Sequence, residues 1–453
     1  MDIGKVIGLE DFFSKRSIEK IHSSIYLAIE LSELPTKGEW IYALNKTMSQ
    51  YFKLRCNVEW DLEADDIHMK LITAENGTPI KYEDVIEYVP WKKLEQDEIQ
   101  QIFQNYHFHY DSEHVAWKIL VLKECNTCVL LLTHALYDGM SLVKIWQSIL
   151  QNLGNGSMDN TEIIYDAIDK PDKQFTSQHP YELIPTPWSW KAKKLLVSQL
   201  FKYAPSTIVK PNKNIIQFPA YNFKEGLFAK SNPSQFERYL KNDFCLHRTH
   251  INNENLTKTL KICKVHGVSF TSYLAAVLVI AMRKMDPSAI SGNNLQISIP
   301  INSRKFCQKS LNLQDSQCEV GNFISGSTLS YLIDTNEDIW IVAGSLQDDM
   351  VRNTTSLMGN TVQEAKLLES ISCADFLTAK ISEDYPGQTL EITNLGFQNF
   401  NIEGSKYHVK SADFATPQGI SNVAIYSVIS TPNDGLRCNF SYPKNYKVPW
   451  KTI

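Results

Sequence analysis

The spacing of apolar residues changes repeatedly along the chain, and each change predicts a new secondary-structure element. Apolar residues that alternate with polar ones, or that form short β-branched runs, predict strands. Apolar residues three and four positions apart predict helices. The segments with strand patterns are 24–31, 67–72, 117–122, 127–133, 244–251, 295–301, 390–393, 407–411, 423–430 and 436–441. The segments with helical patterns are 38–51, 95–104, 140–152, 188–203, 253–265, 269–284 and 336–351, the last with Asn336 as its N-cap.

Strands and helices alternate in both halves of the chain, which predicts the α/β fold class with mixed sheets. The halves are separated by residues 153–187, a largely polar stretch rich in glycine and proline and typical of a connection. We therefore expect an N-terminal subdomain at 1–187, a crossover with an amphipathic segment at 188–225, and a C-terminal subdomain at 226–453.

The composition is that of an ordinary globular protein. Hydrophobic residues make up 43% of the 453 residues and charged residues 21%, with a net charge of −5. No basic stripe with interleaved aromatic residues is present, so the sequence does not favour nucleic-acid binding.

Nine cysteines are dispersed along the chain, and their odd number predicts free thiols in a reducing compartment. Cys125 and Cys128 form a lone C-x-x-C in a predicted turn, without the second ligand pair of a zinc site. His107, His109 and His114 form the densest histidine cluster, but no acidic or cysteine partner completes a ligand set. We expect no metal site.

The first residues contain no apolar leader, and no run reaches the roughly 18 apolar residues of a spanning helix. We expect an intracellular, cytoplasmic protein. The segment Trp188–Tyr203 combines tryptophans and leucines with four lysines. It is interpreted first as a helix docked on the body. The alternatives are a lid over an apolar tunnel, or a membrane-surface contact that would place the protein at the endoplasmic reticulum or lipid droplets.

The richest chemistry follows the apolar run at 127–133. His134 stands where this strand ends, Asp138 comes four residues later, and Gly139 precedes the helix at 140–152. Histidine is the side chain that accepts and returns a proton near neutrality. A loop that turns back on itself often needs a glycine. Taken alone, a histidine in this position is more often a core or edge residue, and Asp138 could orient it or pair with an arginine elsewhere.

The His134-x-x-x-Asp138-Gly139 pattern between strand and helix resembles the active-site motif of the chloramphenicol-acetyltransferase-like acyltransferases. These include the plant BAHD acyltransferases, the condensation domains of nonribosomal peptide synthetases and the fungal alcohol acetyltransferases. The chain most resembles the yeast alcohol acetyltransferase family, in weaker matches at 9–13, 22–26, 79–85, 109–119, 180–187 and 391–396. The resemblance implies two chloramphenicol-acetyltransferase-like subdomains with the active-site tunnel at their interface.

The resemblance also implies roles for single residues. His134 is expected to act as general base in a direct attack on a thioester, without an acyl-enzyme. Asp138 is expected to point away from it and form a buried structural ion pair with Arg304. Thr393 and Asn394 are candidates for the oxyanion or tunnel site, and a simple strand-ending turn is an equal alternative.

The expected function is acetyl transfer from acetyl-CoA, used as a substrate and not as a bound cofactor, to the hydroxyl of a small or lipid-like alcohol. One alternative is N-acetylation of a sphingoid-like or other amphipathic amine. Others are a peptide-synthetase condensation domain, which would take a carrier-bound donor, and a non-catalytic binding protein of the same fold. A monomer is expected.

Overall fold

The computed structural model describes residues 2–22, 24–72, 79–166, 178–210, 214–218, 244–285, 287–334, 336–355, 358–383, 385–417 and 419–443. The strands are β1 (Asp2–Val6), β2 (Ser24–Leu31), β3 (Cys56–Asp61), β4 (Asp66–Leu71), β5 (Ile80–Lys81), β6 (Ile86–Val89), β7 (Trp117–Leu122), β8 (Thr127–Thr133), β9 (Ile163–Tyr165), β10 (Phe244–Ile251), β11 (Asn294–Asn302), β12 (Ile324–Leu332), β13 (Gln388–Phe397), β14 (Val409–Ala415), β15 (Asn422–Thr431) and β16 (Gly435–Pro443).

The α-helices are α1 (Leu9–Ile18), α2 (Lys37–Gln50), α3 (Tyr82–Val85), α4 (Gln96–Asn105), α5 (Gly139–Asn152), α6 (Pro180–Leu183), α7 (Trp188–Tyr203), α8 (Pro205–Val209), α9 (Asn253–Val265), α10 (Phe270–Arg283), α11 (Arg304–Leu311), α12 (Ile339–Thr354), α13 (Met358–Ala365) and α14 (Cys373–Ser382).

The first lobe is built on a mixed sheet in the order β14-β2-β8-β7-β6. Strands β7 and β8 form the antiparallel pair that the sequence predicts, and β8 lies between β7 and β2 at the centre of the sheet. A central strand is buried on both faces, which explains the apolar run Val129–Leu132. Helices α2 and α5 pack on one face, where Trp40 and Trp146 are fully buried.

The second lobe contains a mixed sheet in the order β10-β16-β15-β13-β11-β12. Its central strands β11, β13 and β15 run parallel. Helix α10, apolar nearly all round as its sequence predicts, packs with α12 over this sheet and contributes Ala275, Leu278 and Val279 to the core. The predicted fold class, two α/β lobes with mixed sheets, is confirmed.

The two lobes exchange structure near the end of the chain. Strand β14, which the sequence places in the C-terminal subdomain, pairs antiparallel with β2 of the first lobe. The Tyr26 hydroxyl donates to Asp413 Oδ1 at 2.6 Å, and Asn439 of the second sheet donates to the same oxygen at 3.0 Å. The predicted unit 226–453 is therefore not one structural lobe. The boundary expected at 225/226 lies outside the described residues.

Helix ends follow their capping residues. The sequence offers Asn252 or Asn253 as the cap of α9; Asn252 is the cap, accepting from Asn255 N, and Gly267 with φ of 68° follows the helix end. The expected cap Asn336 is wrong, because the Asp338 carboxylate accepts from Trp340 N instead and α12 begins at Ile339.

Helix α7 has the predicted bounds, but most of its apolar side chains are exposed. Trp188, Leu195, Leu196 and Tyr203 are 82%, 65%, 58% and 75% exposed, and Phe201 is the buried residue of the helix. In the described part of the chain no single helix passes the length and hydropathy test for crossing a membrane; α9 and α10 pass only as a pair, bent by 92°.

Candidate active site

His134 lies directly after β8, where the central strand of the first sheet leaves the lobe and turns into α5. Neighbouring strands hold both sides of β8, so the backbone before His134 is rigid. Asn322 of the second lobe donates from Nδ2 to the His134 carbonyl at 3.1 Å. His134 therefore stands at the junction of the two lobes.

Aromatic rings fix the orientation of the imidazole. The Phe13 ring of α1 stacks on it with centroids 4.4 Å apart and planes 11° apart. The His22 ring meets it edge to face at 5.4 Å. His134 as a residue is partly exposed at this junction, whereas its Nδ1 atom is buried.

The electrostatic surroundings keep His134 neutral. Burial is the main cause that lowers the pKa of His134 to about 3, and the positive charge of Arg16 lowers it further, while Asp138 acts in the opposite direction. A neutral imidazole is the form that accepts a proton, so the ring is in its base form at neutral pH.

Asp138 forms the ion pair that the resemblance implies, and it does not contact the imidazole through a hydrogen bond in the structure. Both its oxygens accept from the Arg304 guanidinium, each at 2.8 Å. Oδ1 also caps α5 by accepting from Ser141 N at 2.9 Å, and Oδ2 accepts from Phe323 N at 2.9 Å. Burial raises the pKa of Asp138, but Arg304 and these amides outweigh it and hold the pKa below its usual range.

The same network clamps a loop of the second lobe onto the motif. Gly321 N donates to Ser141 Oγ at 3.0 Å, and Gly321 O accepts from Arg304 Nη2 at 3.0 Å. Arg304 also donates from Nε to the Glu319 carbonyl at 3.2 Å. Because Asn322 in this loop also holds the His134 carbonyl, the ion pair and the histidine are positioned by one set of contacts.

Gly139 is needed for packing and not for the turn that the sequence suggests. It is the first residue of α5, and no left-handed φ is recorded for it. A Cβ at this position would lie 2.8 Å from Leu395 Cδ2 and 3.5 Å from Phe414 Cζ. The missing side chain lets the second lobe approach the start of α5.

We expect Gly139→Ala to lower the free energy of unfolding by about 1–3 kcal/mol, because Leu395 must leave its buried position. The matched control is Gly344→Ala in the middle of α12, where a Cβ meets no atom within 4 Å. The free energy of unfolding of that control should rise by roughly 0.5–1 kcal/mol, because alanine is the better helix former. Urea unfolding of both variants measures these changes. An equal change in the free energy of unfolding for the two variants would contradict the packing role of Gly139.

Thr393 and Asn394 lie on β13 and face opposite sides of its sheet. Asn394 donates from Nδ2 to Thr271 Oγ1 of α10 at 3.0 Å and accepts from Gly396 N at 2.8 Å. Its amide thus points to the helical layer, which does not support an oxyanion role. Thr393 lies on the same face of the sheet as Leu395, and Leu395 contacts the start of α5. The oxyanion or tunnel role of Thr393 stays a prediction.

Sequence patterns did not single out Phe13, His22 or Arg16 as partners of His134, and they mark Asn322 only as a candidate for support from the second half. Phe13 and Arg16 lie on α1, more than a hundred residues before the motif, and Asn322 lies far beyond it. Phe13 and His22 fall in segments that resemble the yeast family, but nothing local marks them as neighbours of His134.

The remaining candidates are the C-x-x-C pair and the histidine cluster. Cys125 and Cys128 are both free thiols, and none of the nine cysteines forms a disulfide. His107, His109 and His114 are exposed, as expected. Within the described ranges no cluster of three histidine, cysteine or acidic side chains could hold a metal ion.

The alcohol acetyltransferase family matches residues 5–449, nearly the whole chain. The chain belongs to the alcohol acetyltransferase family. N-acetyltransferase SLI1 of Saccharomyces cerevisiae is 35% identical to it over 454 residues, which cover 97% of this chain and 95% of the yeast protein. This alcohol acetyltransferase family member is thus an acyltransferase, with acetyl-CoA as a substrate.

Solved structures share the fold of this family member at low identity. Trichothecene 15-O-acetyltransferase TRI3 of Fusarium sporotrichioides has a TM-score of 0.66 at 12% identity, covering 97% of this chain and 90% of that one. The first condensation domain of the calcium-dependent antibiotic synthetase has a TM-score of 0.62 at 11% identity, covering 98% and 91%. At these identities the likeness shows the fold alone.

Proposed function

We propose that this protein transfers the acetyl group of acetyl-CoA to a primary amine, with His134 as the general base. The observation that carries the proposal is the neutral, ring-stacked His134, partly exposed at the lobe junction. The identity of 35% to a yeast N-acetyltransferase supports an amine as acceptor.

In the proposed reaction the acceptor nitrogen attacks the thioester carbonyl, and a tetrahedral oxyanion forms. His134 Nε2 takes the proton that the nitrogen loses. The carbon–sulfur bond then breaks, and the imidazolium returns the proton to the departing thiolate of CoA. Direct transfer needs no acyl-enzyme, and the low pKa of His134 makes its conjugate acid a ready proton donor.

A hydroxyl acceptor is the second candidate, because the matching family is that of the alcohol acetyltransferases. The same base would remove the alcohol proton. A carrier-bound donor, as in the condensation-domain alternative, has support only from a shared fold.

Thiol release from acetyl-CoA, measured with purified protein, tests the proposal. The panel contains amphipathic amines and the alcohols of matching chain length, and mass spectrometry locates the acetyl group. N-acetyl products support the proposal, whereas O-acetyl products alone move it to the second candidate. No acceptor-dependent release from acetyl-CoA, with transfer from a carrier-bound acetyl group instead, contradicts both.

We also propose that α7 rests on an anionic membrane surface. Its exposed apolar residues Trp188, Leu195, Leu196 and Tyr203 fall on one side of the helix at helical spacing, and exposed Lys191, Lys193 and Lys202 flank them. An apolar stripe bordered by lysines is typical of helices that lie in the plane of a membrane interface. This arrangement supports the membrane-contact alternative over a helix docked through its apolar face.

Leu195→Glu is expected to abolish sedimentation with vesicles that contain phosphatidylserine, because it places a carboxylate in the apolar stripe. The matched control is Val265→Glu at the end of α9, where valine is 83% exposed on a different surface. The control should bind like the unmodified protein. Equal binding by all three proteins, or equal binding to uncharged phosphatidylcholine vesicles, would contradict this proposal.

A further inference from the structure

The guanidinium of Arg16 packs on the Phe13 ring that stacks against His134. Nε and Nη2 of Arg16 are buried without hydrogen-bond partners. Its Cζ lies 4.4 Å from the centroid of the Phe13 ring, whose centroid is in turn 4.4 Å from that of His134. The Phe12 and Phe13 rings face the guanidinium, but two buried N–H groups without an acceptor still call for an explanation.

The charges of Lys380 and Glu391 on the second lobe act on Arg16. Lys380 of α14 donates from Nζ to Ser421 Oγ at 2.8 Å, and Glu391 of β13 accepts from Ser298 at 3.2 Å and Asn422 at 2.8 Å. Among the described residues no hydrogen bond joins Arg16 to Glu391. Two cations and one carboxylate leave the cluster one negative charge short of neutrality.

The titration of the cluster agrees with this geometry. Burial lowers the pKa of Arg16 to about 9 and that of Lys380 to about 8, and Glu391 only partly offsets it in both. Burial also raises the pKa of Glu391. The two cations thus share a single carboxylate, and groups with perturbed pKa values of this kind concentrate at functional sites.

We propose that Arg16 binds a carboxylate of the acceptor, a few bonds from the nitrogen that His134 deprotonates. The guanidinium fork matches a planar carboxylate. One negative charge neutralises the cluster, whereas a phosphate dianion would leave it with an excess negative charge. The anion belongs to the acceptor, because the long pantetheine arm of CoA holds its phosphates far from a thioester at His134. This inference rests on the proposed function and names its substrate class.

The test uses amines with a carboxylate at increasing distance from the nitrogen, each paired with its methyl ester. The unmodified protein should prefer the carboxylate member of a pair. Arg16→Gln should lower kcat/KM roughly 10- to 100-fold more for the carboxylate than for its ester, because a charge-assisted hydrogen bond is lost. Arg16→Lys keeps the charge but not the guanidinium fork, so its loss of kcat/KM should be intermediate. The control is Lys46→Gln at an exposed position of α2, which should leave kcat/KM unchanged for both the acid and the ester.

Two results would overturn the inference: no preference for the carboxylate in the unmodified protein, or an equal loss for acid and ester in Arg16→Gln. The latter would mean that Arg16 acts on His134 itself. Urea unfolding excludes misfolding, since removing an unpaired charge should leave the midpoint unchanged or raise it. Calorimetric binding of the same pairs separates this inference from the proposed function. An acid preference lost in Arg16→Gln supports the site even without turnover, and no preference in binding refutes it.

Discussion

Acetyl transfer by His134→Ala is expected to be slower by about 10²–10⁴-fold, the usual contribution of a positioned general base. The loss should appear in kcat, because the ring is already neutral and oriented by Phe13 before the acceptor arrives. Thiol release measured under saturating acetyl-CoA checks this. His109→Ala is the matched control, because His109 is exposed and lies outside the lobe junction.

The pH dependence separates a catalytic His134 from a structural one. With the pKa of His134 lowered to about 3, kcat/KM should show no protonation of this ring between about pH 8 and pH 5. The unfolded chain binds a proton at His134 first, near pH 6.5, so this group makes the fold less stable as the pH falls from there. His134→Ala should therefore resist acid unfolding better while losing activity. Full activity of His134→Ala would contradict the proposed mechanism.

Arg304→Met is expected to lower the free energy of unfolding by about 3–5 kcal/mol, because it leaves the Asp138 carboxylate buried without its partner. Activity should fall in parallel, since Arg304 also holds the Gly321 carbonyl in the loop whose Asn322 bonds the His134 carbonyl. Urea unfolding and thiol release on the same preparations measure the two effects.

A double variant tests whether the pair itself matters. Asp138→Asn with Arg304→Met removes both charges and should cost less than the sum of the single changes. The control is Glu254→Ala, which breaks an ion pair with Lys258 whose side chains are 74% and 64% exposed. That change should cost about 1 kcal/mol or less. Additive single effects would contradict a coupled pair at the lobe junction.

The pair also predicts acid sensitivity. Because the pKa of Asp138 is lowered, its contribution to the stability of the fold is present above about pH 4 and is lost as the pH falls further.

The sequence by itself determined the features whose physics is local. The hairpin of β7 and β8, the helix after the motif and the cap at Asn252 all follow from apolar spacing and side chains within a few residues. His134 stands out as a candidate because a strand end and a helix start bracket it, but its predicted role as a base comes from the family resemblance. The pairing of Asp138 with Arg304 needed the family resemblance, since 166 residues separate them.

Only the tertiary structure decided which distant groups meet. Strand β14 joins the sheet of the opposite lobe, and the bond between Tyr26 and Asp413 spans 387 residues. The packing demand at Gly139 depends on how the lobes dock, and the position of Arg16 on the Phe13 ring is likewise a tertiary feature. Apolar periodicity tells which face of an element is buried, but not against which partner. Lobe docking therefore decides which distant charges lie near His134, whereas the local motif supplies only Asp138.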